Sequence, residues 1–485
     1  MDVDYVRQAF REDAELAGPP PTDAYERVLA RRQKSDRRRL ATLAAGLAAV
    51  LVAVAVPLGL SLVVAQDDRA AGPPSIPVAD IFGVPTRGSL AADVDFVEAV
   101  RQLSWAVPGV RTVPPTPDAP VESRRVVFAG DVAAGRWALV VGANTAVPTG
   151  ADADPDRQTD MGALSDIAGV WFVGPPGAGP EQMQAVTYPR GIAADLPASL
   201  YDGASGALVV VAAPGDVIEI SERPDVAADA TVTRDYTDTG ASDGTAVLTV
   251  SPNPFEPSGL PAAQYRVTRG GMVIVDQAPD GYGSVQEPTV PELGLEYLRP
   301  AAEAIPGAPD GKEQTMAEQI LSEYGLSPDE LQLRVHYVGP LPGSGEAPAG
   351  LTVLTATFPS GAVLTRADYL QQIGSPQPPY SGAYFGGGTC LDELSPAGLP
   401  AAERTLALRC DVLSGEQDPD TESTLVVLAP VGVSGAYAVA DGDAGTTQFD
   451  LDAGVGMVAF PPGAESVVVH AADGTVLDEV PIGTA

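Results

Sequence analysis

Histidine, cysteine and lysine are almost missing from these 485 residues, with two of each. Each scarcity removes a class of chemistry. With only His336 and His470, an imidazole-built zinc site or a Ser–His or Cys–His nucleophile pair has almost no material. Both histidines sit in alternating apolar runs, RVHYV and VVVHA, and each is expected to have a structural role. The lysines are Lys34 and Lys312; Pro309 stands three residues before Lys312, which removes the Ser-x-x-Lys signature of penicillin-binding transpeptidases. No nucleophile elbow of the Gly-x-Ser-x-Gly kind is expected, and the catalytic residue set is read as empty. Cys390 and Cys410 have no Cys or His neighbours to complete a metal site, so in an oxidising compartment they are expected to form a disulfide, whose loop closure stabilises by roughly 3 kcal/mol. Aromatics make up 6% of the chain, poor provision for the platforms of a sugar-cleaving cleft. Trp105, Trp137 and Trp171 are expected in the core.

Positive charge is scarce beyond the first forty residues. From Gln66 to the end there are 19 Arg or Lys against 56 Asp or Glu, a net of −37, whereas residues 1–39 carry 9 basic and 8 acidic side chains, a net of +1. Such a surface repels nucleic acid and anionic lipid, so no nucleic-acid partner is expected. One acidic stretch, DADPDRQTD, places Asp152, Asp154, Asp156 and Asp160 at the first, third, fifth and ninth positions of a calcium loop. The sixth and twelfth positions hold Arg157 and Ala163 where such a loop needs Gly and a bidentate Glu, so a solvated loop is the expectation and calcium the weak candidate. No cofactor is expected.

There is one long apolar run. Leu40 to Ala65 holds 26 residues without a charge, enough for a helix of about 39 Å against a hydrocarbon core of about 30 Å. A secretory signal has an apolar region of about 7–15 residues behind a short basic start, so the run reads as a transmembrane helix, kinked at Pro57, with cleavage after Ala65 as the alternative. Arg31, Arg32, Lys34, Arg37, Arg38 and Arg39 crowd one flank and Asp67 and Asp68 the other. The positive-inside rule then places residues 1–39 in the cytoplasm and the bulk outside, in a single-pass protein of the cell membrane.

Residues 2–17 have the periodicity of a short amphipathic helix along Val3, Val6, Phe10, Ala14 and Ala17, a candidate contact for a cytoplasmic protein partner; Asp23 caps a second helix running to about Arg39. Residues 66–80 read as a linker. Helical periodicity returns at Asp93–Trp105 and Lys312–Tyr324; elsewhere short β-rich runs alternate with Gly, Pro and Asp. The runs repeat. GALVVVAAPGDVIEIS (206–221) matches STLVVLAPVGVSGAYAV (423–439), AAQYRVTRGGMVIVDQAP (262–279) matches AESVVVHAADGTVLDEVP (464–481), and RRVVFAGDVAAGRWALVVG (124–142) pairs more loosely with 333–358. The expected fold is mainly β or α+β: a single N-terminal transmembrane helix, then two tandem, duplicated β-rich domains, 81–287 and 288–485, each ending in a sandwich-like module.

The two lysines amid abundant Ala, Gly, Pro, Val, Asp and Arg point to a high-GC genome and, with one membrane, to an actinobacterium. The layout of short cytoplasmic helix, basic stop, single span and large exported β region resembles that of actinobacterial membrane-anchored regulators, including anti-sigma factors. FAGDVAAGRWALVVG is similar to a segment recurring in exported actinobacterial proteins. Residues 1–39 lack the His-x-x-x-Cys-x-x-Cys of zinc-binding anti-sigma domains, which argues against direct sigma-factor sequestration. The leading expectation is a non-enzymatic, membrane-anchored protein binding a cell-envelope or protein partner. A transmembrane regulator relaying an outside event inward stands second, and an envelope hydrolase using paired carboxylates third.

Overall fold

The computed structural model describes residues 79–107, 118–145, 165–255, 262–282, 290–302, 311–342, 348–374, 384–413, 421–430, 433–440 and 446–484. The apolar run 40–65, its basic flank, the helix expected over 2–17 and the Asp152–Asp160 stretch lie outside the described residues. Among the described residues no helix is long and apolar enough to cross a membrane. Ser75–Ala485 forms one compact unit, mainly β. Within it, two successive modules stack the same four layers.

In the first module, α1 (Val94–Arg101) starts at Asp93, whose carboxylate accepts the Phe96 N–H at 3.0 Å, and ends four residues before the expected Trp105. It covers one face of a sheet made by β1 (Arg125–Val132), β2 (Gly135–Ala143), β3 (Ile167–Gly174), β4 (Gln184–Ala185) and β5 (Arg190–Ile192), ordered β1-β2-β3-β4 with β5 also on β3. The other face packs on a middle sheet of β6 (Ala198–Tyr201), β7 (Ala207–Val211) and, further along the chain, β12 (Thr245–Thr249). Between β7 and β12 run β8 (Val217–Ser221), the hairpin β9 (Pro224–Val226) and β10 (Val232–Arg234), and β11 (Thr237–Asp238). With β13 (Gln264–Arg269) and β14 (Met272–Gln277), β8 and β11 form the outer sheet, β11-β8-β13-β14. Leu208 and Val210 of β7 face the outer sheet while Ala207, Val209 and Val211 face the first, so this strand is apolar at every position because both its faces are buried.

The second module opens with β15 (Glu296–Tyr297) and α2 (Lys312–Tyr324), whose limits are those expected; Gly311 and Gly325 bracket it, both with positive φ. Its first sheet is β15-β16-β17-β18-β19, with β16 (Gln332–Leu341), β17 (Ala349–Thr357), β18 (Val363–Gly374) and β19 (Tyr384–Ser395). The middle sheet combines β20 (Leu406–Leu413), β21 (Thr421–Leu428) and β24 (Val455–Ala459). The outer sheet runs β23-β22-β25-β26, with β22 (Gly435–Ala440), β23 (Thr446–Asp450), β25 (Ala464–His470) and β26 (Val476–Pro481). In each module the middle and outer sheets close on one apolar core, as a sandwich does.

The correspondence reaches single side chains. Arg87, ahead of α1, donates through Nη1 to the carbonyls of Ala212 at 2.6 Å and Gly244 at 3.4 Å. Arg299, ahead of α2, donates through Nη2 to those of Ala429 and, at 3.5 Å, Gly454. Ala212 follows β7 as Ala429 follows β21, and Gly244 precedes β12 as Gly454 precedes β24. Each arginine thus pins the strand entering its module to the same corner of the middle sheet. Gly244 and Gly454 take φ of 78° and 79°, and at both a Cβ would come within 2.4 Å of a carbonyl oxygen, so neither tolerates a side chain. Burial lowers the pKa of both guanidiniums, which remain cations because backbone carbonyls accept their donors.

Candidate functional site

Cys390 on β19 and Cys410 on β20 form the expected disulfide, with Cα atoms 4.7 Å apart, joining the first and middle sheets of the second module inside their shared core. Trp137 and Trp171 meet edge to face at 6.4 Å in the first core, and Trp137 meets Tyr282 at 5.8 Å. Trp105 is buried beneath the Arg124 guanidinium, 5.0 Å from its ring. All three tryptophans are core residues, as expected.

His336 occupies the bulge where β16 loses register against β17, and its Nε2 lies 3.0 Å from Thr355 Oγ1. Burial, with Arg299 and Arg334 adding smaller effects, pushes its pKa down to about 4. The folded state therefore resists a proton that the unfolded state accepts near 6.5. This contribution is complete above pH 6.5 and is lost as pH falls toward 4, the whole loss amounting to about 3 kcal/mol. Urea unfolding of wild type and His336→Gln at pH 7.5 and 4.5 isolates it: the wild type should lose more stability on acidification, by at least about 2 kcal/mol. Equal losses would assign the acid sensitivity to other groups. His470 lies against Gly435, where a Cβ would be 2.5 Å from its ring, and stacks on Tyr437 at 5.8 Å.

The letters of Gly-x-Ser-x-Gly do occur once, at Gly240-Ala241-Ser242-Asp243-Gly244, although no nucleophile elbow is expected. It joins β11 to β12, strand to strand, with φ of 70° and 78° at its two glycines. A nucleophile elbow turns a strand into a helix, so the resemblance is one of letters.

Polar and apolar groups converge where the first module meets α2. Ser322 Oγ donates to Asn253 Oδ1 at 2.8 Å, with both residues buried. Arg223 donates to Glu330 at 2.9 Å, and Ala397 N–H reaches Ala228 O at 2.7 Å across the tip of the β9–β10 hairpin. The Ser327 backbone N–H, followed by Arg223, holds the Glu330 carboxyl below its ordinary range, which makes it a poor proton donor. Gly325, with φ of 62°, lets the two surfaces touch: a Cβ there would stand 2.7 Å from Ala262 Cβ and 3.1 Å from Arg223 Cβ. Gly325→Ala is expected to cost about 1–2 kcal/mol through the left-handed backbone and this contact, read as a lowered urea midpoint.

A cavity of about 370 Å³ opens at this junction, walled by Tyr201, Pro252, Pro254 and Phe255 from one side and Leu321, Leu326, Pro328 and Glu330 from the other. Beside it, along the open flank of the first sandwich, lies a groove of about 550 Å³ lined by Ile220, Thr239, Leu248 and Val250 and rimmed by Asp225, Asp235 and Asp238. Glu222 and Arg223 belong to both. These volumes are those of ordinary ligand sites. Among the described residues no group of three His, Cys, Asp or Glu side chains is placed to hold a metal ion. None of the candidate site residues of the sequence reading lines either cavity, although the quoted runs 206–221 and 262–279 and the expected helix 312–324 each contribute wall residues. The hairpin that walls the groove escaped it because Ala230 makes the turn at φ 68° without Gly or Asn to mark it.

Comparisons with family models, curated proteins and solved structures return no match for this chain.

Proposed function

We propose that this chain is a membrane-anchored, extracytoplasmic binding protein of the cell envelope, built from two copies of one module. The observation that carries the binding reading is the junction cavity, whose walls come from both modules and hold apolar rings beside a few polar groups. Duplication is supported by the shared strand order and by Arg87 and Arg299 docking on equivalent carbonyls. Binding is favoured over catalysis because the cavity holds no imidazole and its Glu330 is engaged as a low-pKa ion-pair partner. The anchor rests on the 26-residue apolar run and its basic flank. With protoplasts, externally added protease should remove a C-terminal epitope and spare an N-terminal one; a protected C-terminus would overturn the location. The resemblance in layout to membrane-anchored regulators supports a second reading, in which the Val3–Ala17 helix passes an outside event to a cytoplasmic protein. A pull-down with residues 1–39 that recovers no specific partner would sink it.

A further inference from the structure

One of the differences between the two sandwiches leaves a flank of the first unfilled. Register makes the equivalences unambiguous: Thr239 N–H bonds to Ile218 O, while Phe449 pairs with Ala436, and Ile218 and Ala436 face Val267 and Val469 at matching positions of β13 and β25. Continuing down both chains, Ala241 corresponds to Leu451, Ala246 to Gly456 and Val250 to Phe460. In the second module Leu451 is buried in the core, and the half-buried Phe449 and Phe460 pack against it along the sandwich flank. Gly456 makes the room, since a Cβ there would lie 2.4 Å from Leu451 and 2.9 Å from Phe449. The first module has Thr, Ala and Val instead, and its flank is the 550 Å³ groove. Thr239 Oγ1 is shut off from solvent without a hydrogen-bond partner. The groove runs beside β12, which pairs only with β7 and so leaves its other edge free among the described residues.

We propose that this open flank receives an extended segment of a partner protein that adds to the free edge of β12 and inserts a large apolar side chain, such as Phe, where Phe449 sits in the second module. The recognition is that of strand addition, in which backbone pairing supplies affinity and a side-chain pocket supplies specificity. Glu222, Asp225, Asp235 and Asp238 rim the groove, and Arg223 is already paired with Glu330, so the segment carries Lys or Arg beside its anchor. A second copy of this chain fits poorly, because residues from Gln66 onward carry a net charge of −37. The inference rests on the binding reading above and names its ligand.

The test uses the purified full chain in detergent and a fluorescein-labelled nine-residue peptide of alternating Lys and Val with a central Phe, followed by anisotropy. Saturable binding is expected, weakening with added salt, and a peptide with Gly in place of Phe should bind about tenfold more weakly. Thr239→Phe with Ala246→Gly copies the filled flank and should lower affinity at least about tenfold while leaving the melting temperature unchanged or raised. Val250→Phe serves if that pair misfolds. No saturable binding by the wild type, equal binding by the filled variants, or self-association through the flank would each overturn the proposal. Peptide binding lost on Leu326→Trp, at the junction cavity, but kept on filling the flank would overturn it and leave the binding reading standing. The protease result bears on location alone.

Discussion

Asp216→Ala is expected to destabilise the protein by about 3–5 kcal/mol, because it strands a buried guanidinium. Arg269 grips Asp216 with two bonds of 2.9 Å each, from Nε and Nη2, and the side chains keep only 7% and 3% of their exposure. Asp216 Oδ2 also accepts the Ala213 N–H at 2.9 Å, and Arg269 Nη1 donates to Asp195 O at 3.0 Å, so the pair ties the β7–β8 turn to β13 and to the loop before β6. The bond to Asp216 raises the pKa of Arg269, which therefore stays charged at every pH where the protein folds. Removing the carboxylate leaves that charge without its counter-ion. The second module supplies the control, since Val433 and Ala471 occupy the equivalent positions and Val433 is buried. Asp216→Val with Arg269→Ala should therefore cost far less than Asp216→Ala alone, the sign of non-additivity in a contacting pair. Urea unfolding with an unchanged m-value would read this. A loss below about 1 kcal/mol for Asp216→Ala would mean that water reaches Arg269.

Loss of the disulfide is expected to cost about 3 kcal/mol, toward 5 if the buried thiols repack badly. Cys390 and Cys410 are 20 residues apart, a loop whose closure removes that much freedom from the unfolded chain. Both are buried between the first and middle sheets of the second module, so the bond also holds two layers together. Cys390→Ala with Cys410→Ala should lower the melting temperature by several degrees and leave the near-ultraviolet signal of Trp137 and Trp171, which lie in the other module, intact at lower temperatures. No shift would refute the stabilising role; loss of the tryptophan signal together with the second module would make the two modules a single cooperative unit.

Much of the β architecture was legible because it is local. Helix α2 has Gly311 and Gly325 at its ends, and Gly325 takes the left-handed backbone that stops a helix. Strand β7 and the Leu425–Leu428 half of β21 read as apolar runs because each lies between two sheets. The disulfide followed from a lone pair of cysteines, and the burial of the tryptophans from the apolar runs around them. The candidate site was not legible. Its groove exists because Thr239 and Val250 stand where another sandwich has Phe449 and Phe460, a comparison that has no meaning until register aligns the strands.

By itself the sequence determined the composition of the problem: an acidic, β-rich chain with a lone pair of cysteines and an apolar segment long enough to span a bilayer. Periodicity, punctuation and residue counts carry those properties within a few positions of one another. Only the tertiary structure decided the stacking order of the layers, the arginine docks and the open flank. Arg87 meets Gly244 across 157 residues, and Arg223 meets Glu330 across 107. Contacts at such separations arise from the burial of both faces of the middle sheets, to which each residue contributes a little and which no local pattern records.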